Sequence, residues 1–482
     1  MNPLWDMLVS AREESPDSPA LHTENRTYSF DELHGVAKNV ARTLREEGLR
    51  SGDVVATLLP NAMDWIVTLA AAHEGLLSVS LHHGGQAGEV GAALLIAVPE
   101  RLTVAPDSDI PVKTVSEKWF RQHEGNSDTT PARNYDGPDS LVRLVLTSGT
   151  TGNAKAAEYT AGTVRALADS AAEVLGHGGD LRLSLMGFST MGGVYQALAH
   201  LSVRTPFVAI NAINDRIPGL IDELEITVLV AATVSLAQLC DAYDLRSDVT
   251  PRLGRVIIAG STASDALLQR LAATFPEAEL SIMYGSTEGG LIAAKKASVG
   301  ADPRIVGYVM SNVQLEVVDE HGTPVPRGET GEIRYRSTEL IERYYRDPVS
   351  TAAAIREGWF YPGDRGVFLE TGELMIAGRV DDVINLGGIK VDPVTLETIA
   401  QSVPGVNEAA AYLVHDDKGL ASIELAVVAE SPETLKLVDQ RLREDPLQVI
   451  PRNYRRVAKL PRNQMGKLVR HELESIDDKV DL

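Results

Sequence analysis

Apolar and polar positions follow two different periods along the first part of the chain. After Ser29, apolar residues fall at Leu33, Val36, Ala37, Val40, Ala41 and Leu44, the spacing of an amphipathic helix over 29–47. Glu32 stands three residues after Ser29, the pattern of a capping box. A turn over 48–53 leads to a short apolar run, 54–59, and a second helical stretch occupies 61–75. Helices alternating with short apolar runs predict α/β layering around parallel strands, and the first helix reads as cover for a sheet.

The same texture continues with apolar runs at 141–146, 228–230, 255–258 and 280–283, separated by helical stretches. The polar segment 105–138 reads as an irregular connection without chemistry of its own. After about 307 the pattern changes to short alternating runs with glycine turns, at 313–319, 331–336, 366–368 and 374–376, which predicts a small β-rich subdomain. From 381 helix and strand patterns alternate again, at 394–402, 408–414, 422–428 and 432–443. The expected organisation is an α/β N-terminal domain over 1–380, with layered subdomains and the β-rich part at about 307–380. A small α+β C-terminal domain over 381–482 follows, with the boundary at 380–382.

Composition narrows the function. With 482 residues, two or more cores are expected, and 44% hydrophobic with 23% charged residues is the balance of a folded globular chain. A formal net charge of −22 repels phosphate backbones and anionic membrane surfaces, so neither nucleic acid nor membrane is an expected partner. The single cysteine, Cys240, sits in an apolar helical stretch, 234–243, and reads as a core residue that excludes an internal disulfide framework. No basic region followed by an apolar run opens the chain, and no run approaches the roughly 18 apolar residues of a membrane span, so a cytoplasmic location is expected.

Four motifs carry candidate chemistry. Leu-Thr-Ser-Gly-Thr-Thr-Gly-Asn-Ala-Lys, 146–155, follows an apolar strand. Its two glycines permit a tight turn with exposed N–H groups, and its hydroxyls and Lys155 complete a phosphate cradle, although the Walker spacing is absent. Met-Tyr-Gly-Ser-Thr-Glu-Gly-Gly, 283–290, also follows a strand; Tyr284 can stack on a flat ring, Thr287 can bond a phosphate oxygen, and Glu288 is a hard ligand suited to Mg²⁺. In 358–366 and 377–390, Asp364 can accept from two ribose hydroxyls and Arg379 can hold the same sugar. The fourth, 460–470, places Lys467 after a glycine and alone reads as a solvated basic loop.

In this order the four motifs resemble the adenylate-forming superfamily of acyl- and aryl-CoA synthetases, non-ribosomal peptide adenylation domains and luciferase-like AMP-dependent ligases. The resemblance runs from Thr-Tyr-Ser-Phe-Asp-Glu-Leu, 27–33, through Ala-Gly-Ser-Thr-Ala-Ser, 259–264, and Gly-Glu-Ile-Arg-Tyr-Arg, 331–336, to Lys467. It implies a large nucleotide-binding domain followed by a small mobile one. It further implies that Thr147, Ser148, Gly149, Thr150, Thr151, Gly152 and Lys155 hold the leaving phosphates. Gly260, Ser261, Thr262 and Tyr284 belong by the same resemblance to the adenine site, Gly285 and Ser286 to the nucleotide-binding residues, Thr287 touches the α-phosphate and Glu288 binds magnesium. Asp364 and Arg379 clamp the ribose, and Lys467 bridges the attacking carboxylate and the α-phosphate. Asp381 falls at the hinge, with Gly387, Gly388 and Lys390 on the face presented to the incoming thiol.

The implied reaction is activation of a carboxylic acid by ATP to an acyl-adenylate, with release of pyrophosphate, then transfer to the thiol of coenzyme A or of a carrier-protein phosphopantetheine. Substrate residues fall at Phe188, Gly192 and Gly193, where many relatives carry an aromatic–histidine pair or an aspartate for an α-ammonium group. Neither is present here, which favours an aryl or other acid without an α-amino group, because an unpaired ammonium in an apolar pocket is costly. His82 and His83 lack the usual Pro and Asn, and Ala161 replaces a frequent His. Adjacent histidines point apart on a strand, so they read as pocket-rim residues and not as a metal site. Two alternatives stay open at this point: capture of the adenylate by an amine or other non-thiol nucleophile, and a catalytically silent nucleotide-binding protein. The expected partners are the small acid and, as one acceptor, an acyl carrier protein, with a homodimer left as an option.

Overall fold

The structure is a computed structural model. It describes residues 2–476 apart from 107–108, 126–127, 134, 136, 148–154, 176–179, 211–212, 215, 245–251, 387–388, 416–420, 446–449 and 463–467. Two compact units emerge. The first comprises 1–301, 309–314 and 336–360, and the second 302–308, 315–335 and 361–482.

Two largely parallel sheets build the first unit. One has six strands, in the spatial order Val112–Thr114, Leu94–Ala97, Val54–Leu58, Leu77–Ser80, Leu141–Thr147 and Lys155–Thr160, and only the last pair is antiparallel. The chain leaves Val54–Leu58 toward one side of the sheet, to Leu77–Ser80, and then crosses back to Leu94–Ala97 on the other. That reversal opens a crevice at the strand ends, the place where open α/β sheets bind ligands. The second sheet runs from Pro19–His22 through Phe207–Ala209, Arg182–Ser184, Val228–Ala231 and Arg255–Ala259 to Glu279–Ser286, with Gly290–Lys296 antiparallel beyond it.

Local sequence explains these elements. Helix Phe30–Glu46 begins with both halves of the expected capping box: Ser29 Oγ accepts from Glu32 N, and Glu32 accepts from Ser29 N at 2.9 Å. Its apolar stripe, Leu33 to Leu44, is fully buried. Helix Asn61–Glu74 stops at Gly75, whose φ of 70° is the left-handed C-terminal conformation that glycine adopts without strain. Cys240 is buried in the helix Thr233–Asp244, as its apolar surroundings imply. The segment 105–138 is more ordered than its composition predicts: Val112–Thr114 adds an edge strand, and Phe120 on Glu117–Arg121 reaches the core. A three-residue edge strand is too short to show a periodic signal.

The second unit contains the antiparallel strands Ile305–Val309, Leu374–Arg379, Asp364–Phe368 and Gly331–Ser337. A separate core gathers helices Pro393–Gln401 and Pro432–Glu444 against Val406–His415, Ala421–Ala429 and Asn453–Arg456. Among the described residues no helix is long and apolar enough to cross a membrane.

Two buried histidines give the first unit a pH dependence. Burial pushes His34 down to about 4 and His200 down to about 3 from an ordinary 6.5. Both are neutral in the fold, while the unfolded chain takes up protons as pH falls below 6.5. Their contribution is therefore intact above that pH and declines toward pH 4, by about 2 kcal/mol per histidine at pH 5. The urea midpoint should fall between pH 7 and pH 5, and His34→Gln and His200→Gln should each flatten that slope. An unchanged slope in both variants would refute this assignment.

Candidate functional site

Two strand ends in the first unit carry motifs that the resemblance assigns to the nucleotide. Ala259 and Met283 are register partners on parallel neighbours, so Gly260–Thr262 and Tyr284 leave the sheet side by side. Gly260 has a φ of 85°, and Ser261 Oγ lies 2.7 Å from Thr233 Oγ1. Just beyond Tyr284 the antiparallel register shifts, and a Cβ on Gly285 would collide with the Gly290 carbonyl, so the turn requires glycine there. Inside the turn Ser286 Oγ accepts from the backbone N–H groups of Glu288 and Gly289, both at 3.1 Å.

Lys155, at the end of the 146–155 motif, approaches this turn through Tyr344. Thr147 and Lys155 are register partners at the closed end of the hairpin; Ser148, Gly149, Thr150, Thr151 and Gly152 lie outside the described residues. Lys155 Nζ stands 5.3 Å from the centroid of the Tyr344 ring, within cation–π range, and Tyr344 Oη donates to Glu288 Oε1 at 2.7 Å. One phenol thus joins the lysine of the first motif to the carboxylate of the second. Four residues along the same strand, Tyr159 Oη donates to the Thr287 carbonyl at 2.7 Å. Burial, with Glu288 nearby, holds the Tyr159 phenol well above its usual range, so it stays a donor. Ile341 N donates to the Glu288 carbonyl at 2.8 Å, fixing the far side of the turn.

The loop at 185–193 borders the same region. Met186 Cε is 2.7 Å from where a Cβ on Gly192 would sit and 3.9 Å from one on Gly260, so this side chain links the loop to the nucleotide turn. A Cβ on Gly193 would strike the Gly187 carbonyl, and Thr190 caps the following helix, Met191–Val203. Phe188 is 2% exposed, with its ring stacked on Trp65 at 5.5 Å and edge-on to Phe207 at 5.7 Å.

Beneath that loop lies a polar set that the sequence did not reveal. Arg143, in the middle of an apolar strand, is 1% exposed; its guanidinium donates to Thr68, Ser78 and Ser80 hydroxyls and to the Phe188 carbonyl, at 2.9–3.0 Å. Asp64 accepts from Thr57 Oγ1 at 2.9 Å, and burial raises its carboxyl above the ordinary range, against the pull of Arg143. These partners come from strands and a helix tens of residues apart, so no local spacing announces them.

In the second unit Asp364 and Arg379 are direct register partners, and Arg379 Nη1 donates to Asp364 Oδ1 at 2.8 Å and to the Pro362 carbonyl at 2.7 Å. Asp381 is exposed. Its neighbour Asp382 pairs with Arg470 at 3.1 Å, and Arg470 also holds the buried Glu397 and the Ala411 carbonyl. Gly387, Gly388 and Lys467 lie outside the described residues, as does the side chain of Lys390.

Lys155 and Glu288, from two motifs rich in Gly, Ser and Thr, thus meet at Tyr344. The family model described as AMP-binding enzyme matches residues 9–345, and the chain belongs to that family, as an adenylate-forming ligase. Among curated proteins it is 27% identical to a fatty acid–[acyl-carrier-protein] ligase, ScoC, of Streptomyces coeruleorubidus, over 96% of this chain and 94% of that protein. A 4-coumarate–CoA ligase of Pinus taeda is also 27% identical, over 98% and 94%. In fold it is similar to the O-succinylbenzoate coenzyme A synthetase of Bacillus subtilis, solved with AMP (TM-score 0.86, 22% identity, 99% of each chain). The ATP-bound MatB of Rhodopseudomonas palustris is equally similar (TM-score 0.86, 23% identity, 98% of this chain and 99% of that one).

Proposed function

We propose that this enzyme uses ATP to convert a carboxylic acid without an α-amino group to its acyl-adenylate, then transfers the acyl group to the thiol of coenzyme A or of a carrier-protein phosphopantetheine. The observation that carries this reading is the meeting of Lys155 and Glu288 at Tyr344, which gathers positive charge and a hard oxygen ligand from two motifs at one place. The relatives named for acyl-carrier-protein and CoA ligation support a thiol acceptor.

In the first half-reaction a carboxylate oxygen bonds to the α-phosphorus as the bond to the bridging oxygen breaks, and pyrophosphate leaves. Negative charge grows on the departing oxygens, so Lys155 and the N–H groups after Thr147 are the fitting groups to hold them. Glu288 has one oxygen engaged by Tyr344 and its other, Oε2, without a partner among the described residues, which suits a Mg²⁺ ligand. The ion, when bound, neutralises phosphate charge. Tyr284 and Gly260–Thr262 would cradle adenine, Thr287 the α-phosphate, and Asp364 and Arg379 the ribose. Lys467 is assigned to the space between two anions that otherwise repel each other. In the second half-reaction the thiolate adds to the acyl carbonyl and AMP departs, with Asp381 as the pivot that exchanges Lys467 for the 387–390 segment.

The acid's class follows from charge. An α-ammonium group needs an uncommitted carboxylate, and among the described residues that line the cavity beside Phe188 the one carboxylate, Asp64, faces the charge of Arg143. Exchange of labelled pyrophosphate into ATP, run over a panel of aryl, fatty and amino acids, tests the reading. Exchange that depends on a non-amino acid is expected; bound ATP without exchange for any acid would overturn it.

A further inference from the structure

The crevice where the six-stranded sheet reverses its strand order contains a cavity of about 160 Å³, walled by Asn61, Asp64, Ser80, Arg101, Phe188 and Ser189 among others. These residues follow three successive parallel strands and the loop that carries Phe188, so the cavity occupies the ligand-binding position of an open α/β sheet. A space of that size has room for one end of a small organic ligand.

Its charges are unequal in their commitments. Asp64 accepts from Thr57 and Ser80, and Ser80 in turn receives an N–H of Arg143 at 2.9 Å, so this carboxylate is answered from behind by a fully buried cation. Asn61 has both ends of its amide engaged, its Nδ2 on the Ile210 carbonyl at 2.9 Å and its Oδ1 at 3.4 Å from the Phe188 N–H. Arg101 differs: one N–H goes to the Leu59 carbonyl at 2.7 Å, and although Asp64 on the same wall acts on it through space, no carboxylate is within ion-pair distance of it among the described residues. It is exposed on one side and lines the cavity on the other, with the Ser189 hydroxyl as a second donor. Among the described residues the wall thus presents a guanidinium that makes no ion pair, while its other polar groups are hydrogen-bonded partners of one another or of the backbone. That chemistry recognises a carboxylate.

We infer that the cavity receives the far end of the substrate acid, and that this end carries a second carboxylate held by Arg101 and Ser189. The inference rests on the acyl-adenylate reading above, because it takes the loop at 185–193 as the acid's docking place. Met186 on that loop faces the nucleotide turn at Gly260, while Phe188 and Ser189 face the cavity, so one carboxylate can meet ATP while the other is held beyond the loop.

Pyrophosphate exchange with matched pairs, hexanoate against adipate and 4-phenylbutyrate against its 4-carboxy derivative, is the test. In the unmodified enzyme the diacid of at least one pair should have the higher kcat/KM. Arg101→Gln should lower kcat/KM for that diacid by about 10- to 100-fold, with KM for ATP and the rate with the monoacid unchanged, and Arg101→Lys should restore part of the loss. Monoacids that outperform both diacids would overturn the inference and leave the adenylation reading standing. An Arg101→Gln variant impaired equally for both acids, or only in KM for coenzyme A, would also overturn it. Absence of exchange with every acid would remove both readings together.

Discussion

Lys467→Ala should abolish most acid-dependent pyrophosphate exchange, with a loss in kcat on the order of 10²- to 10³-fold and little change in ATP binding. The physical reason is that a carboxylate and a triphosphate repel each other, and a single cation placed between them is needed chiefly as the new bond forms. An interaction made mainly in the transition state appears in kcat and not in ground-state affinity. The same variant supplied with ready-made acyl-adenylate should still form the thioester, because that step no longer brings two anions together. Comparing exchange with thioester formation from synthetic adenylate decides the matter. Equal loss in both assays would mean that Lys467 serves the fold or the thiol step instead.

Glu288→Gln should be almost as damaging, with a fall in exchange of about 100-fold or more, and Tyr344→Phe should cost about 10- to 100-fold. The glutamine keeps the shape of the side chain and can still accept from Tyr344, but it removes the charge that a hard divalent cation requires. Tyr344→Phe keeps the ring beneath Lys155 and deletes only the hydroxyl that orients the carboxylate. Raising the magnesium concentration should therefore rescue Tyr344→Phe and leave Glu288→Gln impaired. Titration of nucleotide binding by Mg²⁺ separates the cases without relying on turnover. Identical magnesium dependence in the two variants and the parent enzyme would exclude Glu288 as the ligand.

These predictions draw on residues that were legible to different degrees. Lys155, Glu288, Asp364 and Arg379 stand in short motifs whose composition already suggests phosphate, metal and sugar chemistry, because glycine turns, hydroxyls and lone charges cluster there. Tyr344 and Tyr159 did not stand out. A tyrosine in a strand or an irregular loop has the same local signature whether it packs or donates, and only the meeting of segments distant in sequence, 128 residues apart for Tyr159 and 56 for Tyr344, gives each its acceptor. Asp64 was hidden in a helical stretch, 61–75, to which no chemistry was assigned, and Arg143 in a strand read as simply apolar.

The sequence by itself determined the alternation of helix and strand, the capped helix after Ser29, the glycine that ends the next one, and the ordered set of motifs that placed the chain among adenylate-forming enzymes. Those properties are local, written in spacings of two to four residues and in backbone conformations that particular residues allow. Tertiary structure alone decided which charges face each other: the burial of Arg143 behind Asp64, the joining of Lys155 to Glu288 through one phenol, and the placing of Arg101 at the strand-order reversal with no ion-pair partner among the described residues. Electrostatic partnership depends on distance in space and on desolvation, and neither is encoded at any fixed separation along the chain.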